Sequence, residues 1–151
     1  MCGIVGYVGK KQATDVLIRG LKRLEYRGYD SAGVAVLDEK TLDVRRALGR
    51  VADLHEKVDL EPVSGGVGIA HTRWATHGKP SEENAHPHID VSGRIAMVHN
   101  GIIENHASIR SFLEKQGVTF QSDTDSEALV QLIGFFYGET GDLLESGRHA
   151  L

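Results

Sequence analysis

The chain has 151 residues, 40% of them hydrophobic and 25% charged, with a formal net charge of −4. That length supports one globular domain with its own core but not two, and nothing in the charge balance is basic enough for nucleic-acid binding. The single cysteine excludes an internal disulfide, the N-terminus has neither a cationic n-region nor a sustained apolar run, and no stretch approaches the roughly 20 apolar residues of a membrane helix, so a cytoplasmic protein is expected.

In chain order, residues 3 to 8 read as a short buried strand. Gln12 to Arg27 then take helical spacing, with Val16, Leu17, Leu21 and Leu24 on one side, Lys22, Arg23 and Glu25 on the other, and Gly28 closing the helix. Ala32 to Leu37 and Thr41 to Ala47 form a predicted hairpin around Asp38-Glu39-Lys40, and Val51 to Leu60 a short helix. Val67 to Thr72 and Ile95 to His99 are predicted strands, separated by a Gly, Pro, Asn and His-rich loop from Gly78 to Ser92 long enough to suggest function. Glu104 to Gln116 and Asp125 to Tyr137 are predicted helices ended by Gly117 and Gly138, the second opening on a capping box from Thr124 to Glu127. Strands mixed with helices without regular alternation favour an α+β layered fold over a doubly wound sheet.

The glycine-rich start before Lys10 matches neither a phosphate loop, which needs a glycine where Ile4 stands and a Ser or Thr after the lysine, nor a dinucleotide fingerprint. Six histidines from His71 to His106 crowd one region, but no H-E-x-x-H and no zinc-like ligand spacing accompany them, so no metal and no cofactor are expected. Cys2 is more informative. A lone cysteine is ordinarily a small buried hydrophobe; behind a removable Met1, however, it would carry a thiol nucleophile and an α-amine of pKa roughly 7.7 to 8 that serves as base. Arg73, at the exit of a strand, is either an ion-pair partner or a bidentate clamp for a carboxylate. Asn100-Gly101 is either a type I′ turn or a pair of donors aimed at one oxyanion. Asp125 is either a favourable acid in a first helical turn or an anchor for an ammonium group.

Taken together, Cys2-Gly3-Ile4-Val5-Gly6, the block from Leu24 to Gly33 with Tyr26-Arg27-Gly28-Tyr29-Asp30, His71-Thr72-Arg73-Trp74-Ala75-Thr76-His77-Gly78, Asn84 to His88, and Val98 to His106 closely resemble the glutaminase domain of the glutamine:fructose-6-phosphate aminotransferases, class II glutamine amidotransferases. The resemblance runs from Met1 to about Tyr137. It implies an N-terminal nucleophile hydrolase fold, an αββα sandwich, with residues 1–151 as a type 2 glutamine amidotransferase domain. It also implies hydrolysis of L-glutamine through a Cys2 thioester. Asn100 and Gly101 would form the oxyanion hole, Arg73 would hold the substrate α-carboxylate and Asp125 its α-ammonium. Thr76 and His77 would lie beside the glutamine, Arg27 and His86 would support the site, and Trp74 would gate ammonia. Later strands and the isomerase domains that use the ammonia with fructose 6-phosphate are expected to be missing, and a homodimer is expected of the parent enzyme.

After Gly138 the tail is expected to diverge from the family pattern. That leaves two competing expectations, an active glutaminase or a silent fragment that only binds glutamine or another chain.

Overall fold

The computed structural model describes residues 2–75 and 78–151. The first strand, β1 (Gly3–Val8), leads into helix α1 (Ala13–Leu24), whose last turn tightens into a 3₁₀ turn at Glu25–Arg27. The hairpin β2 (Ser31–Leu37) and β3 (Leu42–Leu48) follows, then helix α2 (Val51–Leu60) and strand β4 (Val67–Arg73). These four strands form one antiparallel sheet in the order β1-β4-β2-β3.

Strand alternation divides the sheet into two faces. One carries Val5, Tyr7, Ala32, Val34, Val36, Ala47 and Ala70, which pack with Ala13, Leu17, Ile18 and Leu21 of α1 and Val51, Leu54 and Val58 of α2 into the main core. Ala13 and Ile18 join the expected Leu17 and Leu21 in that contact, whereas Val16 and Leu24 are only half-buried.

The second face points toward the site. Register pairs Ile4 with His71 and His71 with Gly33, so His71 sits in the middle of a cross-strand row that continues through Gly33 to Arg46. The segment His86-Pro87 runs directly across this row. Arg46 Nε donates to the Pro87 carbonyl at 2.8 Å, and a Cβ built on Gly33 would stand 2.1 Å from the His86 carbonyl oxygen.

Beyond that segment, β5 (His88–Ile89) and β6 (Ala96–Met97) make a two-stranded sheet. Only the second of these strands was expected, and it is shorter than the predicted Ile95 to His99. Two-residue strands are too short to show a period. The hairpin is instead closed by Asp90, whose carboxylate accepts from the Ser92, Arg94 and Ile95 backbone N–H groups.

Helices α3 (His106–Lys115), α4 (Asp125–Thr140) and α5 (Leu143–Ala150) form the outer layer on that side. Gln131 of α4 holds the hairpin by accepting from Val91 N–H at 2.9 Å and donating to the Ile89 carbonyl at 3.3 Å. The layers therefore run helices, four-stranded sheet, two-stranded sheet, helices. α4 does not stop before Gly138 as the sequence suggests; it continues to Gly141, whose φ of 68° closes it.

The expected capping box is half formed. Thr124 Oγ1 accepts from Glu127 N–H at 3.2 Å, but the Glu127 carboxylate reaches past Thr124 to the Gln121 and Ser122 N–H groups. No described helix is long and apolar enough to cross a membrane.

Because a side chain at position 33 would drive into backbone rather than into a movable side chain, Gly33→Ala is expected to cost about 2 kcal/mol or more. Thermal melting should fall by several degrees; an unchanged melting temperature would show that the 86–87 segment does not lie on the sheet.

Candidate active site

A cavity of about 630 Å³ opens at the end of the sheet where β1 begins and β4 ends, lined by Cys2, Arg27, His71, Arg73, Trp74, His86, His99, Asn100, Gly101, Ile102, Thr124, Asp125 and Ser126. Eight of the ten residues expected at the site line it. The other two, Thr76 and His77, lie outside the described residues, as does Met1.

Cys2 extends β1 by one residue. Gly3 N–H donates to Thr72 Oγ1 at 3.0 Å, and Cys2 Sγ accepts the Trp74 backbone N–H at 3.1 Å. The thiol is therefore held at the strand end by a main-chain donor rather than packed in apolar surroundings, contrary to the ordinary reading of a lone cysteine. Trp74 itself is 54% exposed, its ring lying over Gly28, where a Cβ would come within 2.7 Å of it.

Arg73, on the same face as His71, is 3% exposed. Its Nη2 donates to the Gly78 carbonyl at 3.2 Å, and its Nη1 lies 3.7 Å from Asp30 Oδ1. Asp30 has no role in the sequence reading beyond membership of a motif block. It accepts from Ser31 Oγ at 2.9 Å and from the Ala75 N–H, tying Arg73 and the chain after Trp74 to the start of β2. An acid two residues beyond Gly28, whose φ of 98° only glycine tolerates well, was the available signal.

Asn100 is not part of a type I′ turn, because no described residue other than glycine has positive φ and that turn requires it at both centres. Asn100 Nδ2 donates to the Cys2 carbonyl at 3.4 Å, while its Oδ1 lies 2.8 Å from His71 Nε2. Gly101 has a φ of 156°, and a Cβ there would stand 2.8 Å from His99 Nε2, so glycine is required twice over. Across the cavity, Asp125 opens α4. It accepts from the Ile103 and Ser126 N–H groups at 2.8 and 2.9 Å, which leaves lone pairs on both oxygens for a cationic ligand.

Beneath the cavity three imidazoles stack. His71 and His86 have ring centroids 4.2 Å apart, His86 and His88 4.6 Å, and His88 Nε2 lies 2.9 Å from Thr124 Oγ1. Both ring nitrogens of His86 are buried without a hydrogen-bond partner among the described residues. Burial lowers all three pKa values, His71 to about 4 and His88 to about 3, and His86 is pushed down further by burial together with its two histidine neighbours. All three are neutral at pH 7. No described cluster of three or more His, Cys, Asp or Glu side chains is arranged to hold a metal ion.

The family described as "Glutamine amidotransferase domain" matches residues 58–146. The chain is 53% identical over 150 residues to the glutamine–fructose-6-phosphate aminotransferase (isomerizing) of Clostridium perfringens, covering 99% of this chain and 24% of that protein. It is 54% identical over all 151 residues to a Thermus thermophilus protein of the same name, covering 25% of it. The tail after Gly138, expected to diverge, lies inside that alignment. Among solved structures, the glutamine phosphoribosylpyrophosphate amidotransferase of B. subtilis superimposes with a TM-score of 0.80 at 28% identity, over 99% of this chain and 32% of that one. A structure titled as the allosteric regulatory enzyme of purine biosynthesis gives 0.82, also at 28% identity, with the same coverage. The expected α+β sandwich of the N-terminal nucleophile hydrolases is the fold found. The chain spans about a quarter of the length of the curated relatives it matches.

The stacked histidines predict an acid-sensitive fold. Their folded pKa values lie below the ordinary 6.5, so below pH 6.5 the unfolded chain takes up protons that the folded chain refuses. Each such histidine weakens the fold by about 1.4 kcal/mol per pH unit as pH falls toward its folded pKa. Melting temperature should decline steadily between pH 6.5 and 5, above the carboxylate range, and a flat profile there would contradict buried neutral imidazoles.

Proposed function

The chain belongs to the glutamine amidotransferase family, and from that premise we propose that it hydrolyses L-glutamine to glutamate and ammonia with Cys2 as nucleophile. The observation that carries this reading is the convergence on one cavity of a thiol, a carboxamide donor, a buried guanidinium and a buried carboxylate. Glutamine carries the complementary set: an amide to attack, an α-carboxylate for Arg73 and an α-ammonium for Asp125. Each charged group of the protein is buried, so a ligand lacking its partner leaves that group unpaired and is rejected.

In this mechanism removal of Met1 frees the α-amine of Cys2, which takes the thiol proton directly or through water. The sulfur attacks the side-chain amide carbon. The oxyanion that forms is held by Asn100 Nδ2 and the Gly101 N–H, each donor worth roughly 3 to 4 kcal/mol of barrier. The intermediate collapses by breaking the C–N bond, and ammonia leaves with the proton carried by the amine. Water then cleaves the γ-glutamyl thioester with the same amine as base, releasing glutamate and restoring the thiol. In this reading Trp74, exposed over Gly28, would gate ammonia, with Arg27 and His86 in support, and Thr76 and His77, outside the described residues, would serve the substrate.

Residues 1–151 would form a type 2 glutamine amidotransferase domain. The identity to the fructose-6-phosphate aminotransferases supports a role supplying ammonia for amino-sugar synthesis, to isomerase domains that use it with fructose 6-phosphate, in a dimeric cytoplasmic enzyme.

Cys2→Ala is expected to abolish ammonia release from glutamine while leaving the melting temperature within a few degrees of wild type; retained hydrolysis would sink the mechanism. Arg73→Lys should raise the KM for glutamine about tenfold or more, the loss expected when a charge-assisted hydrogen bond of about 1.5 to 3 kcal/mol is removed. An unchanged KM would remove Arg73 from substrate binding.

A further inference from the structure

An asparagine that stabilises an oxyanion has a weakness: its carboxamide is nearly symmetric in shape but opposite in polarity at its two ends. Rotated by half a turn, it would aim an acceptor oxygen at the negative charge it is meant to hold. Asn100 is exposed at the cavity mouth, in a segment outside the four-stranded sheet, so packing does not fix its orientation. Two contacts do. Its Nδ2 donates to the Cys2 carbonyl at 3.4 Å, a long contact, and its Oδ1 meets His71 Nε2 at 2.8 Å.

We propose that His71 is the positioning residue of the oxyanion hole, its Nε2–H donating to Asn100 Oδ1 and so fixing the carboxamide with its NH₂ toward the oxygen of the amide under attack. The inference rests on the glutaminase reading above.

The chemistry of the ring supports this assignment. The Cys2 carbonyl can only accept, which makes the facing Asn100 atom the nitrogen and leaves the oxygen for His71; Nε2 must then carry the hydrogen. The other nitrogen, Nδ1, is buried and has no hydrogen-bond partner among the described residues. Burial is the largest influence on a second proton and disfavours it, as does the nearby Arg73 guanidinium, while Asn100 and the His99 main chain offset only part of that effect. The ring is also held mechanically. It projects from the middle of β4, between Ile4 and Gly33 of the neighbouring strands, and stacks on His86, whose main chain crosses Gly33. The donor therefore belongs to the sheet, and through it the rigid part of the molecule sets the polarity of an exposed amide.

The test combines two readouts on this chain with Met1 removed. Imidazole ¹⁵N chemical shifts of wild type between pH 6 and 8 should show His71 neutral and protonated at Nε2. A ring protonated at Nδ1, or doubly protonated, would overturn the proposal whether or not the chain turns over glutamine. In kinetics, His71→Leu should lower kcat for ammonia release about a hundredfold, the loss of roughly one oxyanion donor, with KM for glutamine within about threefold. His71→Gln, which can donate from nearly the same place, should recover at least a tenth of wild-type kcat. In an Asn100→Ala background, His71→Leu should change kcat by less than about threefold. Additive losses in that cycle, or a loss confined to KM, would assign His71 a merely structural role and overturn the proposal. Wild type that releases no ammonia would defeat the glutaminase reading itself, and the tautomer measurement would still decide the hydrogen-bond assignment.

Discussion

The antiparallel register of β1 on β4, with Gly3 opposite Thr72 and Ile4 opposite His71, is the constraint on which the site depends. It carries Cys2 one step beyond the ladder to the point where the Trp74 N–H meets its sulfur. It also puts His71 and Arg73, two residues apart, on the face away from α1. A slip of one residue would turn both side chains into the core and bring Thr72 to the cavity. Two features resist such a slip. Gly3 N–H is tied to Thr72 Oγ1, and a Cβ on Gly3 would stand 2.9 Å from Leu24, so only glycine fits opposite the helix there.

From that register the cavity acquires two walls of different character. The sheet wall supplies the thiol and the guanidinium from strand ends and the Nε2 of His71 from within β4, all held by a ladder of main-chain hydrogen bonds. The opposite wall comes from the first turn of α4, where Thr124 caps the helix and Asp125 accepts two main-chain N–H groups. The stacked imidazoles of His71, His86 and His88 connect them, running from Asn100 to Thr124. A column of neutral rings fills that space with polar side chains without bringing charge beside Arg73, and the cost is a fold that loses stability when acid makes those rings worth protonating.

Much of this was legible in the sequence because it rests on residues with few interpretations. The core helices and the long strands announced themselves through period, and the position of Cys2, the Arg73 strand exit and the Asn100-Gly101 pair pointed to residues that line one cavity. The small hairpin at His88 to Met97 was missed because its strands are two residues long and its stability comes from one carboxylate, Asp90, gathering turn N–H groups. Gly138 misled because a helix interior tolerates a glycine at modest cost, and nothing local shows that the chain goes on to Gly141. Asp30 and His71 act through other residues, at long sequence separations, and only the folded register brings them together. Of the six histidines crowded between His71 and His106, three, His71, His86 and His88, pack on one another.

The central claim, that Cys2 at the head of β1 is the nucleophile, is tested most directly by acid-quenching the Met1-free chain during turnover of glutamine and mapping the covalent intermediate by mass spectrometry. A γ-glutamyl group on the N-terminal peptide, attached at Cys2, is the result this account predicts. Turnover with no acyl group on Cys2, or an acyl-enzyme that forms equally well with Met1 in place, would contradict it.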